Sequence, residues 1–417
     1  MDYSFYNSFL TGLSNQESQI AALQQEIASG STVQNAAQNP GAYETAALAN
    51  DQINQLTNDS TTQSVIQTRL GAANSAYSSM ASLFDNVQSI VEQGLNATSN
   101  SQNLNALSGQ VQSAYQQLIS VGNTQLPDGS YLFGGTRSNI PPFQTDPSGN
   151  TPGGIAYFGD SGQSMANITA TTAVNTLVNG TVLTSSLSGD GTSEIQANSK
   201  NTGTAQILQQ GIADSNAASA FQSGSNNIVI SFAVGTDGKT TYTATQTPQS
   251  GSGPDTVLAT EPINTASGSD NDVVIDGMNF QITGTPNASD SFTISPAAPQ
   301  TAFALLQKIS TTLSDARSTP AQVAQTNQIL NQSLAELGQY QQSITVAQAQ
   351  NGVTLQALTN AQSSTSAQKI TAQTTVNNAT SVNMPAAITA LNQTMTAVEA
   401  SMKTFAEAQS LSLFKYL

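Results

Sequence analysis

The chain has 417 residues and carries nine Lys and Arg residues against 25 Asp and Glu residues, which gives a net charge of −16. Length allows two or three domains, and the negative charge would repel a phosphate backbone, so we expect no binding to nucleic acid. His, Cys and Trp are absent, which excludes His-based catalytic triads, zinc or haem sites with His or Cys ligands, and disulfides. We expect no metal and no cofactor.

Only 8% of the residues are charged, whereas about 25% is usual in a globular chain. Ser, Thr, Asn, Gln and Ala take their place, and a neutral surface of this kind lacks the repulsion that keeps monomers apart. No apolar run approaches the roughly 18 residues of a membrane span, so we predict no membrane association. The first basic residue is Arg69, so the N-terminus lacks the positive start of a signal peptide, and any export is expected to leave it uncleaved.

Helical periodicity dominates the first 140 residues. A short apolar stripe ends at Gly30, a residue type that closes helices, and a turn at Asn39-Pro40-Gly41 follows. A longer stripe with alternating spacings of four and three predicts a bundle or coiled-coil helix, and a further amphipathic stretch ends before Pro127. The three stripes comprise Leu13, Ile20, Leu23 and Ile27; Ile66, Leu70, Ala73, Tyr77, Met80, Phe84, Val87 and Val91; and Leu104, Leu107, Val111, Tyr115, Leu118 and Val121.

The C-terminal part is also helical. One stripe runs from Leu330 to Ile344, and a heptad stripe follows at Met384, Ile388, Leu391, Met395, Val398, Met402 and Phe405. Because such helices are stabilised by packing more than by propensity, we predict that the N- and C-terminal helices pack on one another as a rod. Two separate helical domains without mutual contact are the alternative.

The middle of the chain, from about 140 to 299, predicts strands. Ile228, Ile230, Phe232 and Val234 alternate with other residues, and a second hairpin is predicted around Asp276-Gly277, with a strand after Asp290. This segment is also the most acidic. The predicted fold class is therefore α+β: a discontinuous long-helix rod or coiled-coil bundle, built from both termini, with a central β-rich insert domain.

The acidic cluster Asp270, Asp272 and Asp276 invites a calcium hypothesis, but its spacing departs from the EF-hand loop, and hairpin-turn chemistry is the better interpretation. Paired carboxylates alone can hydrolyse glycosides, yet nothing here singles out a pair. We predict that the chain is not an enzyme. An exported adhesin or hydrolase with its activity in the β insert stays open as an alternative.

The most specific signal is the string Asp128-Gly129-Ser130-Tyr131-Leu132-Phe133-Gly134-Gly135, followed by Pro141-Pro142-Phe143. With it the chain resembles the flagellin superfamily, and within it the hook-filament junction family (hook-associated protein 3). Ile27-Ala28-Ser29-Gly30 and the ending Leu411–Leu417 agree. The motif residues are Asp128, Gly129, Tyr131, Leu132, Phe133, Gly134 and Gly135.

The resemblance implies three parts: a terminal coiled-coil layer (1–40 plus 380–417), a helical rod layer (41–140 plus 301–379) and a β-rich outer domain (141–300). It also implies a structural adaptor that joins the hook to the flagellin filament by helical self-assembly, outside the cell in the bacterial flagellum. The implied partners are hook-associated protein 1, flagellin, further copies of the chain, an export chaperone and the type III export apparatus. A flagellin filament subunit is the alternative.

The terminal helices are where we expect assembly contacts. The predicted interface consists of Leu13, Ile20, Leu23, Ile27, Met384, Ile388, Leu391, Met395, Val398, Met402, Phe405, Leu413 and Phe414. One side of these helices would pack within the chain, and neighbouring copies would complete the rest.

Overall fold

A computed structural model describes residues 3–96, 101–236, 238–251, 253–265, 271–315 and 317–413. Long helices lie at both ends of the chain and shorter elements lie between them, which confirms the predicted α+β class with a central β-rich region. The helices are α1 (Tyr3–Ser29), α2 (Pro40–Asn96), α3 (Ser101–Gly122), α4 (Ser215–Ser223), α5 (Ala302–Ser314), α6 (Pro320–Thr380) and α7 (Met384–Leu413).

Short strands fill the central region, with a 3₁₀ turn at Gly180–Leu183. The strands are β1 (Phe143–Thr145), β2 (Ile155–Tyr157), β3 (Met165–Asn167), β4 (Ala173–Asn175), β5 (Ser186–Leu187), β6 (Ser193–Ala197), β7 (Gln206–Ile212), β8 (Asn226–Val234), β9 (Thr240–Pro248), β10 (Thr256–Ile263), β11 (Asn271–Ile275), β12 (Met278–Thr283), β13 (Ser291–Pro296) and β14 (Pro299–Gln300).

The helices are longer than the separate stripes suggested. α2 runs for 57 residues from Pro40, so the predicted turn at Asn39-Pro40-Gly41 is the start of this helix. Pro40 occupies the first helical position, where a missing N–H costs nothing, and the Asn39 Oδ1 accepts from the Ala42 N–H at 3.1 Å. α6 likewise runs for 61 residues. Its apolar stripe near Leu330 to Ile344 marks only one stretch of the helix.

The chain forms two compact units. The first comprises residues 1–64, 167–172 and 358–417, and the second comprises 65–166 and 173–357. The predicted three-part division stays a prediction. In the first unit α1 packs along α7. The segment after α1 is hydrogen-bonded to the segment between α6 and α7, because Thr32 N–H donates to Thr380 O at 2.7 Å and Val382 N–H donates to Gly30 O at 3.1 Å. Gly30 has φ +68° and ends α1 as predicted.

The second unit contains a helical core. α2, α3, α5 and α6 contribute its buried side chains, and α3 packs closely on α5. Leu132, Phe133, Phe143 and Leu183 from the connecting segments complete the core. The predicted apolar stripe of α2 supplies the α2 face of this core from Ala73 to Val91, and its first two residues, Ile66 and Leu70, are also buried. This stripe is therefore an internal packing surface.

A second core lies between two sheets of the same unit. The five-stranded sheet has the order β10-β9-β8-β13-β6 and the three-stranded sheet has the order β11-β12-β7. Strands β6 and β13 are antiparallel neighbours, with Ser193 opposite Pro296. Of the predicted alternating residues, Ile228, Ile230 and Phe232 point into this core, as their period of two predicts. Val234 at the end of β8 is exposed instead.

Both predicted hairpins are present. β8 pairs with β9 from Asn226 opposite Pro248 to Val234 opposite Thr240. β11 pairs with β12 around Asp276-Gly277, whose φ angles of +50° and +80° are those of a type I′ turn. Asp276 lies in this turn, as the hairpin interpretation predicts, whereas Asp270 lies outside the described residues. Within the described ranges, no helix combines the length and the apolar character needed to cross a bilayer.

Candidate assembly surface and motif turn

The α1–α7 pair holds the predicted interface residues. Phe405 stacks on Phe9 with ring centroids 4.1 Å apart and also meets Tyr6 at 6.0 Å. On α1 the four predicted residues, Leu13, Ile20, Leu23 and Ile27, are all half-buried. Pairing of the terminal helices within the chain therefore uses an apolar face of α1, as its heptad spacing predicts.

The heptad stripe of α7 divides into two faces. Leu391, Val398 and Phe405 are buried or half-buried, whereas Met384, Ile388, Met395 and Met402 are exposed by 40 to 50%. Ile388, Met395 and Met402 share one line of the helix, the exposed line of α7, and Leu391, Val398 and Phe405 share the neighbouring line, because residues seven apart share one line. Met384 lies seven residues before Leu391 and is exposed where that neighbouring line begins. Leu413 ends α7, and Phe414 lies outside the described residues.

α1 also carries exposed apolar side chains outside the predicted interface. Tyr3 is 82% exposed, and Tyr6 and Leu10 are more than 40% exposed. Their spacings of three and four residues continue the helical period, and this was the signal that could have found them. With the exposed line of α7 they make the first unit unusually rich in exposed apolar surface, which is a feature of protein interaction sites.

The motif turn begins at Asp128. Its carboxylate Oδ1 accepts from the Ser130 backbone N–H at 2.9 Å and from the Ser130 hydroxyl at 2.6 Å. These bonds from Ser130, helped by the charge of Arg69, lower the pKa of Asp128 below its usual value. Gly129 has φ +81°, a conformation that favours glycine. The residues at the start of the motif therefore form a tight turn.

Leu132 and Phe133 follow the turn and are inserted into the helical core. Phe133 lies 5.6 Å from the ring of Tyr77 on α2, measured between ring centroids. Tyr131 contacts the segment after the motif through its backbone, since its N–H donates to Ser138 O at 2.7 Å. The apolar part of the motif is therefore an anchor that fixes the turn to α2.

Gly134 and Gly135 allow close backbone approaches. A Cβ on Gly135 would lie 2.2 Å from Asp160 O, and this residue also has φ +63°. Asp160 N–H donates to Gly134 O, and Gly135 N–H donates to Val178 O, both at 3.2 Å. Hydrogen bonds from Thr136 and Gly162 lower the pKa of the Asp160 carboxyl. Together these contacts fix residues 158–162 and 178–179 against the motif.

A buried ion pair lies in the helical core. Glu336 of α6 has no exposed surface and accepts from the Gly189 N–H at 2.8 Å and from the Lys308 ammonium at 3.1 Å. Burial raises the pKa of Glu336, and the positive charge of Lys308 opposes that shift. Glu336 joins α6 to α5 and to the loop before β6, so its arrangement is structural. Within the described ranges, no three His, Cys, Asp or Glu side chains are grouped so that they could hold a metal ion.

Comparison with known proteins agrees with this geometry. Residues 2–138 match the family model of the bacterial flagellin N-terminal helical region. The N-terminal helices of this chain are therefore similar to those of bacterial flagellins. The flagellar hook-associated protein 3 of Legionella pneumophila superposes with a TM-score of 0.68 at 24% identity, covering 80% of this chain and 98% of that one. FlgL of Xanthomonas campestris gives a TM-score of 0.66 at 23% identity, covering 80% and 99%.

The resemblance to the hook-filament junction family of the flagellin superfamily is thereby confirmed at the level of the fold. The flagellar junction protein FlgL of Legionella pneumophila gives a further match, with a TM-score of 0.64 at 24% identity over 75% of this chain and 99% of that one. No curated protein matches the sequence. The flagellin-type region contains the whole motif turn, so the segment with the most specific sequence signal is also the one that the family model covers.

Proposed function

We propose that this chain is a structural adaptor of the bacterial flagellum that joins the hook to the flagellin filament by helical self-assembly. The observation that carries the proposal is the extent of the shared fold, since the hook-associated protein 3 of Legionella pneumophila is covered over 98% of its length. Helical ends and β region therefore both have counterparts in that protein. The proposed role is structural, without an enzymatic reaction.

The exposed line of α7 supports assembly through the terminal helices. Ile388, Met395 and Met402 of this line, and Met384 at the start of the helix, are uncovered within the chain, and burying such side chains contributes about 25 cal/mol per Å² of apolar area. Neighbouring copies would cover this line in a head-to-tail contact, which generates a helical array when it does not close. The proposed interface is thus the full predicted set, with Leu391, Val398 and Phe405 packing inside each copy.

The proposed partners follow from the proposed position of this chain between the hook and the filament. They are hook-associated protein 1 on one side, flagellin on the other, and further copies of this chain beside it. The proposed location is the extracellular flagellum, reached through the type III export apparatus with the help of an export chaperone. The absence of cysteine is compatible with a chain that crosses a channel unfolded.

A flagellin subunit is the competing proposal, and the motif turn favours the junction role because the string Tyr131–Gly135 marks the resemblance to the junction family. The deciding experiment is electron microscopy of a strain that lacks the gene, with a blot for flagellin in the medium. Hooks without filaments and shed flagellin are expected. Hooks without filaments and no flagellin anywhere would make the chain the flagellin, and normal filaments would contradict the proposal.

A further inference from the structure

The methionines of the described residues fall into a buried and an exposed class. Met80 of α2 lies in the helical core and Met278 of β12 lies between the two sheets, both without exposed surface. Met165 of β3 is 60% exposed. The remaining methionines all lie on α7 and are exposed by 40 to 50%: Met384, Met395 and Met402. One helix therefore presents three thioether side chains to the surroundings.

The positions of these methionines follow the division of the α7 stripe. Met395 and Met402 belong to the exposed line of α7, and Met384 is exposed where the neighbouring line begins. The rest of the neighbouring line contains no methionine and consists of Leu391, Val398 and Phe405. The α7 side chains that pack within the chain are thus free of sulfur, and the side chains that contain sulfur are left uncovered.

Methionine supplies the only sulfur atoms of this chain, because Cys is absent. No thiol of the chain therefore competes with the thioethers for a peroxide. In the reaction, the sulfur gives an electron pair to one peroxide oxygen, the O–O bond breaks, and the other oxygen leaves as water. The sulfur is oxidised and the peroxide is reduced. The product is methionine sulfoxide, a polar and chiral side chain, and the reaction depends on access of the oxidant to the sulfur.

A sulfoxide on the exposed line of α7 is expected to change assembly more than folding. The side chains of α7 that pack within the chain, such as Leu391 and Val398, do not react, so the α1–α7 pair should stay folded. A neighbouring copy that covers Met395 or Met402 would instead remove the sulfoxide oxygen from water. Burying a polar group without a hydrogen-bond partner is unfavourable, so oxidation should weaken the contact between copies.

We propose that Met384, Met395 and Met402 form an oxidation site, at which a peroxide converts the unassembled chain into a form that does not enter the flagellum. The inference rests on the proposed function, because neighbouring copies supply the contact that a sulfoxide weakens. The same contact covers the thioethers after assembly, so the site reacts in the free chain and is protected in the flagellum. The modification is reversible, since methionine sulfoxide reductases restore the thioether.

The first test measures where the free chain reacts. The purified full chain is treated with hydrogen peroxide, and tandem mass spectrometry follows the gain of one oxygen atom at each methionine. The three α7 methionines and Met165 should react at least about tenfold faster than Met80 and Met278, since susceptibility follows exposure. Circular dichroism of the oxidised chain should match that of the untreated chain. Treatment with a methionine sulfoxide reductase should remove the added oxygen.

The second test measures the effect on assembly. Glutamine imitates the sulfoxide, because its side chain is unbranched, uncharged and polar. The strain that lacks the gene receives the full chain with Met395→Gln and Met402→Gln, and blots measure its amount in isolated flagella. This amount should fall at least about fivefold, because the proposed contact would bury polar groups without partners. The matched control has Met395→Leu and Met402→Leu, which conserve volume and apolar character and should enter normally. Met165→Gln controls for polarity outside α7 and should also enter normally.

The outcomes separate the two proposals. If the unsubstituted chain enters flagella and the double glutamine variant enters equally well, the oxidation site is wrong while the junction role stands. The same conclusion follows if the leucine variant is lost to the same extent, because polarity would not then decide entry. It also follows if the α7 methionines react as slowly as Met80 and Met278. Absence of the unsubstituted chain from flagella would overturn both proposals.

Discussion

Lys308 places its ammonium 3.1 Å from the Oε1 atom of Glu336, a carboxylate with no exposed surface. The same ammonium lies 3.6 Å from Glu194, which is partly exposed. A cation from α5 thus serves one buried and one accessible carboxylate. The buried Glu336 carboxylate accepts hydrogen bonds from the Lys308 ammonium and from the Gly189 N–H. Loss of either donor would leave a buried charge poorly compensated, so the ion pair depends on both donors.

Removal of the buried carboxylate is therefore expected to be costly. Glu336→Leu should lower the free energy of unfolding by about 3 kcal/mol, since Lys308 and the Gly189 N–H lose their partner. Glu336→Gln retains an acceptor and should cost about half as much. Urea unfolding of the full chain measures both. Glu194→Gln at the accessible site is the matched control and should cost less than about 1 kcal/mol. Equal losses of stability in the Glu336 and Glu194 variants would show that burial does not distinguish the two carboxylates.

The raised pKa of Glu336 also predicts a pH dependence. Burial raises the pKa of this group in the folded state, so the folded chain binds more protons than the unfolded chain above the usual Glu pKa of about 4.3. Its contribution to stability is complete below that value and is lost as the pH rises through the folded-state pKa. The thermal midpoint of the wild type should fall relative to that of Glu336→Gln across this interval. A constant difference between pH 4 and pH 8 would show that the pKa is not raised.

The exposed line of α7 predicts a separation of folding from assembly. Met395→Glu introduces a charge on the uncovered face and should leave the α1–α7 pair intact while it prevents entry into flagella. Leu391→Asp changes the half-buried face and should abolish assembly with loss of helicity, while the β sheets stay folded. Circular dichroism of the purified chain and blots of isolated flagella measure the two effects. If a strain that carries one of these variants forms normal filaments, the substituted residue does not belong to the assembly interface.

The motif glycines differ in what surrounds them. Gly135→Ala combines positive φ with a Cβ 2.2 Å from Asp160 O, whereas Gly129→Ala meets positive φ but has no atom within 4 Å. A non-glycine residue at such φ costs about 1–2 kcal/mol, and a forced overlap adds about 1–3 kcal/mol. We therefore expect a loss near 1 kcal/mol at Gly129 and about 3 kcal/mol at Gly135 in urea unfolding. Comparable losses would show that the backbone near Asp160 can relax.

One amide joins α6 to the β region. Gln328 is buried, its Oε1 accepts from the Ile207 N–H at 2.7 Å, and its amide donates to Ile207 O. Gln328→Leu leaves both backbone groups of Ile207 unpaired and should cost about 2–4 kcal/mol. Gln325→Leu breaks only bonds of 3.3 and 3.4 Å and is the control, with a cost below about 1 kcal/mol. Hydrogen exchange at the Ile207 amide should accelerate in the first variant alone.

Local sequence patterns predict the secondary-structure elements well, but they do not predict how these elements pack on one another. The hairpins β8–β9 and β11–β12 follow from alternation and an Asp-Gly turn because strand pairing there is decided by neighbouring residues. The end of α1 at Gly30 is equally local. By contrast, the buried state of Gln328 depends on the backbone of Ile207, which is more than 100 residues away in the chain, and no periodicity encodes such a partner.

The packing of the long helices could not be predicted for a different reason. α6 changes its packing partners along its 61 residues, so its apolar positions do not keep to one line, and only the stretch near Leu330 to Ile344 predicts a helix clearly. The stripe on α7 was predicted as one interface, but the sequence could not show that Leu391 would face inward while Met395 stays exposed. Spacing identifies apolar positions, and three-dimensional contacts decide which of them remain uncovered.

Strands β6 and β13, by which the chain enters and leaves the two-sheet region, are hydrogen-bonded neighbours, with Ser193 opposite Pro296. The roughly hundred residues between them leave from one point and return to it, so their removal would leave ends that a short linker can join. A foreign domain with adjacent termini could therefore be grafted at this pair of strands. Such a graft must replace the contact that Ile207 of β7 makes with Gln328 of α6, whereas the partners of Lys308 stay in the retained chain.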